Sequence, residues 1–519
     1  MKNLLHHFLL VFMCLLCTAQ AFGQDEGTYL THDGIKYLCL SDNTAKVAGY
    51  ADEGGAAEVV VPETVQDGGA TYTVTAVMAS AFSYSDKLKG IELPGTVKVI
   101  ENGAFDGCSA LKNVSLGEGL EDIQYNAFGM CSALSSINFP STLRKIGEVA
   151  FFGCGELESV DIPEGVEAVE STCFQSCYML SSVKLPESLK KIGQYAFSDC
   201  GMLTSIKIPE GVTYIGDYAF FFSSMLSELN IPENIEYVGD GAFGYTIWYD
   251  EWLAAQPEGL LYLGKVAYVY NGDAPAGTEV VIKDGTIKVA MKAFAYRTGI
   301  VSVEMPASVE AVGAEAFKGC GDLKKVRMPE GLRKIDTGTF KDCSALEDVN
   351  IPSGVENIGM TAFYGCSSLK SVVIPENVKE LGAGVFEDCG ALQKIYSLSA
   401  EAPEMYRGAE SAAVFFDNDV YANATLYIPA GSKVSYLGTG DWGKFINMVE
   451  DDNLAVESVT DDARIMVADG SIMLPAGAVA EVYDMAGRKV YCGTDAVIGV
   501  KGGMYIVKVN GMVKKVVVK

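Results

Sequence analysis

Phenylalanine recurs at positions 82, 105, 128, 151, 174, 197, 220 and 243, always 23 residues apart, and again at 294, 317, 340, 363 and 386 with the same interval. A fixed period sustained over thirteen positions demands an array, in which each unit is one turn of a stack. The rest of the unit keeps step. Cys follows Phe by three residues at 108, 131, 154, 177, 200, 320, 343, 366 and 389. Apolar residues follow at six, nine and eleven, as in Leu134, Ile137 and Phe139 or Leu346, Val349 and Ile351. Then come Pro (Pro140, Pro163, Pro186, Pro209, Pro232), two further apolar positions such as Val212 and Ile215, often a Gly such as Gly216, and usually Ala before the next Phe.

The run Leu-x-x-Val-x-Ile predicts a short strand whose alternate residues face inward. Pro ends it, because it cannot donate to a ladder. Ala-Phe is placed in a tight or helical corner. One such unit cannot bury its apolar face alone, so units stack at the strand spacing of about 4.8 Å. Three expectations follow from the register. The Phe side chains form one buried spine. The repeat thiols are free and buried, because stacked Cβ vectors run parallel and oppose disulfide geometry. Seven residues before Phe, signs alternate through Lys98, Glu121, Arg144, Glu167, Lys190, Thr213 and Glu236, then Glu310, Arg333, Glu356 and Lys379, which predicts an exposed charge ladder.

The unit Ile192-Gly193-Gln194-Tyr195-Ala196-Phe197-Ser198-Asp199-Cys200, continuing to Leu203, Ile206, Ile208 and Pro209, resembles the bacterial surface-antigen (BspA-like) type of leucine-rich repeat. The resemblance covers roughly residues 55 to 450. It implies adhesion, host contact or polymer binding and no chemistry, with no single ligand shared across the family. The expected fold is therefore a leucine-rich-repeat solenoid of short stacked strands with tight helical or 3-10 corners and a period of 23, followed by a small all-β sandwich.

Domains follow from composition. Met1-Lys2-Asn3, the apolar run Leu4 to Leu16 and the small-x-small site Ala19-Gln20-Ala21 predict a signal peptide over 1–21. Leu16 before Cys17 disfavours a lipid anchor. Residues 22–75 are an N-terminal β cap, with Asp33-Gly34 turning a hairpin. Blocks of repeats span 76–243 and 294–396. Between them, 244–293 is a modified repeat in which Gly259 to Gly272 forms a hairpin. Residues 397–450 cap the solenoid. Residues 451–519, with Val482-Tyr483-Asp484-Met485-Ala486-Gly487-Arg488 and Gly503-Met504-Tyr505-Ile506-Val507-Lys508-Val509, resemble the C-terminal sorting domain of type IX secretion cargo, which implies contact with secretion machinery. A generic β-sandwich cap is the other reading of those residues.

The net charge of −28 disfavours nucleic acid and anionic membranes. No apolar stretch after the signal peptide reaches the ~18 residues that span a bilayer. Of three His, His6 and His7 lie in the signal peptide and only His32 remains, so no base is placed for Ser or Cys chemistry. No catalytic residue, metal site or cofactor site is assigned: the Cys belong to a periodic core position, Asp417-Asn418-Asp419 lacks the Gly and distal Glu of a calcium loop, and no phosphate loop is present. The expected function is secreted or outer-surface binding of an extracellular protein or glycan; a structural surface component without a soluble ligand, or an enzyme or enzyme accessory, are the alternatives. Aromatic residues crowd Tyr214 to Tyr270, and Tyr214, Tyr237, Tyr245, Trp248, Tyr249 and Trp252 are the candidate ligand patch, with Tyr214 and Tyr237 expected to be exposed. The same rings have a second reading, in which they pack the inserted hairpin onto the solenoid.

Overall fold

The computed structural model describes residues 27–52, 55–408 and 414–451, and then 466–468, 471–474, 479–486, 488–493, 497–509 and 512–518. The expected signal peptide and residues 452–465, at the start of the expected C-terminal domain, lie outside them. The chain divides into two units, residues 1–186 and 187–519.

Most repeats contribute two short parallel strands rather than the single one read from the sequence; in the repeat of Phe128 the second is reduced to the isolated bridge from Ser136 to Ser159. In the first unit, one ladder joins Val99–Ile100, Asp122–Ile123 and Lys145–Ile146, each shifted by one period. A second ladder joins Glu58–Val60, Gly90–Glu92 and Asn113–Ser115, and further on Ser159–Asp161 with Ser182–Lys184. Inward residues such as Ile123, Ile146 and Val160 are buried. A two-residue strand is too short to show alternation, so its period is invisible in sequence. At the N-terminal end, Gly27–His32 and Ile35–Leu40 form an antiparallel hairpin through Asp33 and Gly34, both at positive φ. Thr44–Tyr50 then pairs with Ala70–Val77, which hands the sheet to Val99–Ile100.

The corners carry the spine. Phe82, Phe105, Phe128, Phe151 and Phe174 stack with ring centroids 5.0–5.5 Å apart and planes within 11°. All five are buried. The residues two before and two after every one of the thirteen Phe adopt left-handed backbone, as at Ser80 and Tyr84, Val149 and Gly153, or Glu315 and Gly319. This conformation turns each N–H toward the next coil. Asn126 N donates to Glu148 O at 3.0 Å, Phe128 N to Ala150 O at 2.8 Å and Met130 N to Phe152 O at 2.6 Å. The corner is thus a third inter-turn ladder.

The thiols also belong to that ladder. Cys108, Cys131, Cys154 and Cys177 point Sγ–H at the carbonyl of the Phe one turn back, at 3.0–3.3 Å. In the second unit Cys320, Cys343, Cys366 and Cys389 do the same at 3.1–3.3 Å. Where Cys gives way to Ser223, its hydroxyl donates to Phe197 O at 2.7 Å. All nine repeat thiols are free and buried, as the parallel side chains require. Burial pushes the Cys154 thiol up to about 12.

The second unit repeats the plan. One face runs through Lys191–Ile192, Tyr214–Ile215 and Tyr237–Val238. The other includes Asp348–Asn350, Ser371–Ile374, Lys394–Ser397, Thr425–Pro429 and Asn447–Asp451. The spine continues from Phe197 to Phe243 and from Phe294 to Phe386, and Phe416 of the cap extends it at 5.3 Å. Beyond the last repeat, Trp442 is buried and its indole donates to Pro403 O at 2.9 Å. Buried Asp441 is held by Arg407 at 2.7 Å and Lys444 at 3.0 Å. The C-terminal strands form two antiparallel sheets, one of Met466–Ala468, Ser471–Met473 and Val497–Gly499, the other of Lys489–Gly493, Ala480–Asp484, Gly503–Val509 and Met512–Val518. Ile472, Val482, Ile498, Val507 and Val516 form their shared core.

The charge ladder is realised in parts. Lys98 meets Glu121 at 3.4 Å and Lys379 meets Glu356 at 2.6 Å, while Glu236 pairs with Lys265 of the hairpin at 2.6 Å. Arg144 turns instead to the carbonyls of Ser141 and Leu143, both at 2.9 Å. Further one-period pairs lie on the other strand, Asp161–Lys184, Glu304–Arg327 and Glu347–Lys370, at 2.9–3.1 Å.

Candidate functional site

The register breaks after Phe243, and the break builds the surface of interest. Thr246 caps a helix over Ile247–Ala255, its hydroxyl accepting from Tyr249 N at 3.2 Å and donating to Phe243 O at 2.8 Å. No residue of this helix is fully buried. A Pro257 turn leads into the antiparallel strands Gly259–Leu263 and Val266–Asn271. The side chain of Asn271 donates back to the carbonyls of Leu253 and Gln256 at 3.2 and 3.1 Å, which ties hairpin to helix. Two tyrosines fill the gap in the spine: Tyr268 lies 6.4 Å from Phe243 and Tyr270 lies 6.0 Å from Phe294.

The six aromatic residues of the expected patch occupy three separate places. Tyr214 and Tyr237 stand in one strand column, rings stacked at 4.5 Å and 5°. They are half-buried, not exposed as their register with Lys145, Lys191 and Lys334 suggested. For Tyr237 the reason lies 51 residues further on. Lys288, which pairs with Val266 of the hairpin, sets its Nζ 3.9 Å over the Tyr237 ring, donates to Val238 O at 3.3 Å and pairs with Asp240 at 3.7 Å. Lys288 is only 5% exposed, and burial lowers its pKa while raising that of Asp240. Asp217 accepts from Asp240 N at 2.9 Å and from the Tyr237 hydroxyl at 3.3 Å. Every polar group here has an internal partner, so the cluster fastens the interrupted turn to its neighbours.

Tyr245 sits at a left-handed corner, 64% exposed, and stacks on exposed Phe222 at 4.5 Å. Phe221 packs edge-on against both.

Trp248, Tyr249 and Trp252 lie on the helix. Trp248 packs on Phe243 at 4.9 Å and stacks with Trp252 at 5.7 Å; Tyr249 and Trp252 lean on buried Tyr268 at 6.1 and 6.2 Å. Burial raises the Tyr249 phenol, with help from Asp250. Beside the two tryptophans opens a cleft of about 320 Å³, with Leu229, Ile231, Pro232 and Glu233 of the preceding turn on one side and Tyr262, Leu263 and Gly264 of the hairpin on the other. Sequence reasoning found the tryptophans by composition. It missed Tyr262 and Glu233, whose contribution depends on how the insertion folds back over the turn before it.

Among the described residues no group of His, Cys, Asp and Glu is arranged to hold a metal. Asp417 accepts from Asp388 N at 3.2 Å and so belongs to the cap's backbone scaffold. His32 lies 3.5 Å from Asp33 on the exposed hairpin. Among the described residues no helix is long and apolar enough to cross a membrane.

Short parallel strands, a Phe spine and one period per coil define a leucine-rich-repeat solenoid. The BspA-type leucine-rich-repeat model matches residues 75–181, 144–249 and 274–400, more than half of the chain, and the chain belongs to that family. Among solved structures, a leucine-rich cell surface protein from Faecalibacterium prausnitzii is 28% identical, covering 75% of this chain and 97% of its own, with a TM-score of 0.41. A leucine-rich-repeat protein from Bacteroides ovatus is 26% identical over 81% of this chain and 100% of its own, TM-score 0.43. The T. pallidum leucine-rich-repeat protein is 30% identical over 43% of this chain and 90% of its own, TM-score 0.32. Among curated protein sequences no significant match is found. The family is one of repeat proteins.

Proposed function

We propose that the chain is exported and acts at the cell surface as a binding protein, taking an extracellular ligand at the Trp248–Trp252 cleft. The observation that carries this is the pair of partly exposed tryptophans at the one place where the solenoid's regularity is broken. Regular turns repeat their corners and strands; the inserted helix and hairpin add a concave surface at the break in the period. Concavity lined by aromatic rings with few polar groups is what ligand sites share. Residues 1–21 serve as the export signal and 451–519 as the sorting domain for a type IX route; the resemblance of both segments to such signals supports this. The Tyr214–Tyr237 column is structural in this reading.

The test uses the full mature chain. Trp252→Ala is compared with the unaltered protein for circular dichroism, unfolding midpoint and retention on intact cells and extracellular polymer. Expected are an unchanged fold and a loss of retention of at least ~10-fold, a difference of about 1.4 kcal/mol. Equal retention by the folded variant places the ligand elsewhere on the solenoid.

A further inference from the structure

The three tryptophans of this chain are not alike. Trp442 is buried and its indole N–H is satisfied by Pro403 O at 2.9 Å. At the cleft, neither Trp248 Nε1 nor Trp252 Nε1 has a hydrogen-bond partner among the described residues, and neither is sealed from solvent. The Tyr262 hydroxyl accepts from Lys283 N at 2.9 Å and keeps its own proton to donate. Exposed Glu233 stands at the same opening with its carboxylate unpaired among the described residues. The residues lining the cleft therefore carry three aromatic rings, an aliphatic wall of Leu229, Ile231, Pro232 and Leu263, three donors without an acceptor among the described residues, and one acceptor.

That combination selects among ligands. A wholly apolar ligand would dry the donors and Glu233 without pairing them, at about 1–3 kcal/mol for each group. An anionic ligand meets Glu233 with no Lys or Arg among the lining residues, on a chain of net charge −28. A pyranose ring has an apolar C–H face to lay on an aromatic ring and hydroxyls around its edge that both donate and accept. The volume of about 320 Å³ lies at the low end of ligand clefts, about 300–1,000 Å³, and suits one short unit of a longer polymer.

From this we infer that the cleft binds a neutral sugar unit of an extracellular glycan through Trp248, Trp252 and Tyr262, with Glu233 accepting from its hydroxyls. The inference rests on the reading of the cleft as the ligand site. It extends that reading to a chemical class.

The experiment titrates the full mature chain with neutral gluco-, galacto-, manno- and N-acetylglucosamine oligosaccharides and with uronic-acid oligosaccharides. Tryptophan fluorescence is the readout, since Trp442 is shielded and the signal reports Trp248 and Trp252; calorimetry serves the variants. Expected are a saturable change with at least one neutral oligosaccharide and at least ~10-fold weaker binding of acidic ones. Trp252→Phe, which keeps a ring and removes the donor, should bind about 10-fold weaker, and Trp252→Ala should not bind. If no neutral oligosaccharide binds while retention on cells still requires Trp252, the sugar class is wrong and the cleft remains a site for another ligand, such as a peptide. If sugar binds and Trp252→Ala binds it equally, the assignment to this cleft is overturned.

Discussion

Val149 is a β-branched residue held at φ 64°, at the left-handed position before Phe151. Left-handed backbone costs an L-residue roughly 1–2 kcal/mol. Comparing Val149→Gly with Val149→Ala isolates that cost, because both variants lose the same half-buried side chain. Gly relieves the strain but carries an entropic penalty of about 0.5–1 kcal/mol relative to Ala. The balance favours Gly by about 0.5–1 kcal/mol, the reverse of the order found in an ordinary helix or strand. A converse pair sharpens the point. Gly103 has φ 61°, and a Cβ there would meet nothing closer than 3.7 Å, so Gly103→Ala is opposed by backbone strain alone. Gly95 has open space around it and no such φ, so Gly95→Ala should be neutral or stabilising by about 0.4–1 kcal/mol. Urea unfolding at constant slope, read by circular dichroism, measures all four. If Val149→Gly is less stable than Val149→Ala, or Gly103→Ala is no worse than Gly95→Ala, the third ladder does not depend on left-handed corners.

Phe151 is fully buried between ring neighbours at 5.3 and 5.4 Å, and Phe151→Ala should cost about 3–5 kcal/mol by urea midpoint; a loss below ~1 kcal/mol contradicts the spine. Alkali should be a second stress. Burial raises Cys154, Cys320 and Cys389 from 9.0 to about 12 in the folded chain, so their contribution is fully present below pH ~9. It is lost as pH climbs toward 12, by at most about 1.4 kcal/mol per pH unit for each thiol, because the unfolded chain ionises first. Cys154→Ser should keep the donor, as Ser223 does natively, and make the pH 9–12 decline seen by thermal melting shallower by at most one thiol's share, about 1.4 kcal/mol per pH unit; an unchanged slope would show the thiol is not protected. In native protein at neutral pH, a thiol-alkylating reagent should label exposed Cys492 and spare the repeat thiols, and mass spectrometry reads the sites directly.

Much of this fold is written in repeated side chains. Phe and Cys were legible because one identity recurs at one interval, and so were the buried spine and the free thiols. The corner conformation was not. The residues two away from Phe include Val149, Glu315, Tyr195 and Lys292, with Gly only at some, so no residue type marks the left-handed backbone that all of them share. The thiol's partner was equally hidden, though Ser223 in a Cys position hints at a donor. Helix Ile247–Ala255 escaped because it is short and apolar on most sides: Trp248, Tyr249 and Trp252 share one face, but Ile247, Leu253 and Ala254 carry apolar character around the rest, so no buried stripe sets a 3.6-residue period. Tyr214 and Tyr237 share a register with exposed lysines, yet the Lys288 that covers Tyr237 comes from beyond the insertion. Contacts across such an interruption depend on how its helix and hairpin fold, which the period does not encode.

The most direct measurement of where this protein binds is hydroxyl-radical footprinting of the folded mature chain, alone and on its extracellular ligand surface. Trp248, Trp252 and Tyr262 line the cleft, while the exposed corners at Phe222, Tyr245 and Tyr296, outside its lining, serve as internal controls. The expected result is protection of Trp248 and Trp252 on binding, with oxidation of Tyr296 unchanged. Protection of Phe222 and Tyr245, or of the strand faces, with the two tryptophans oxidised as before, would contradict binding at the break in the repeat.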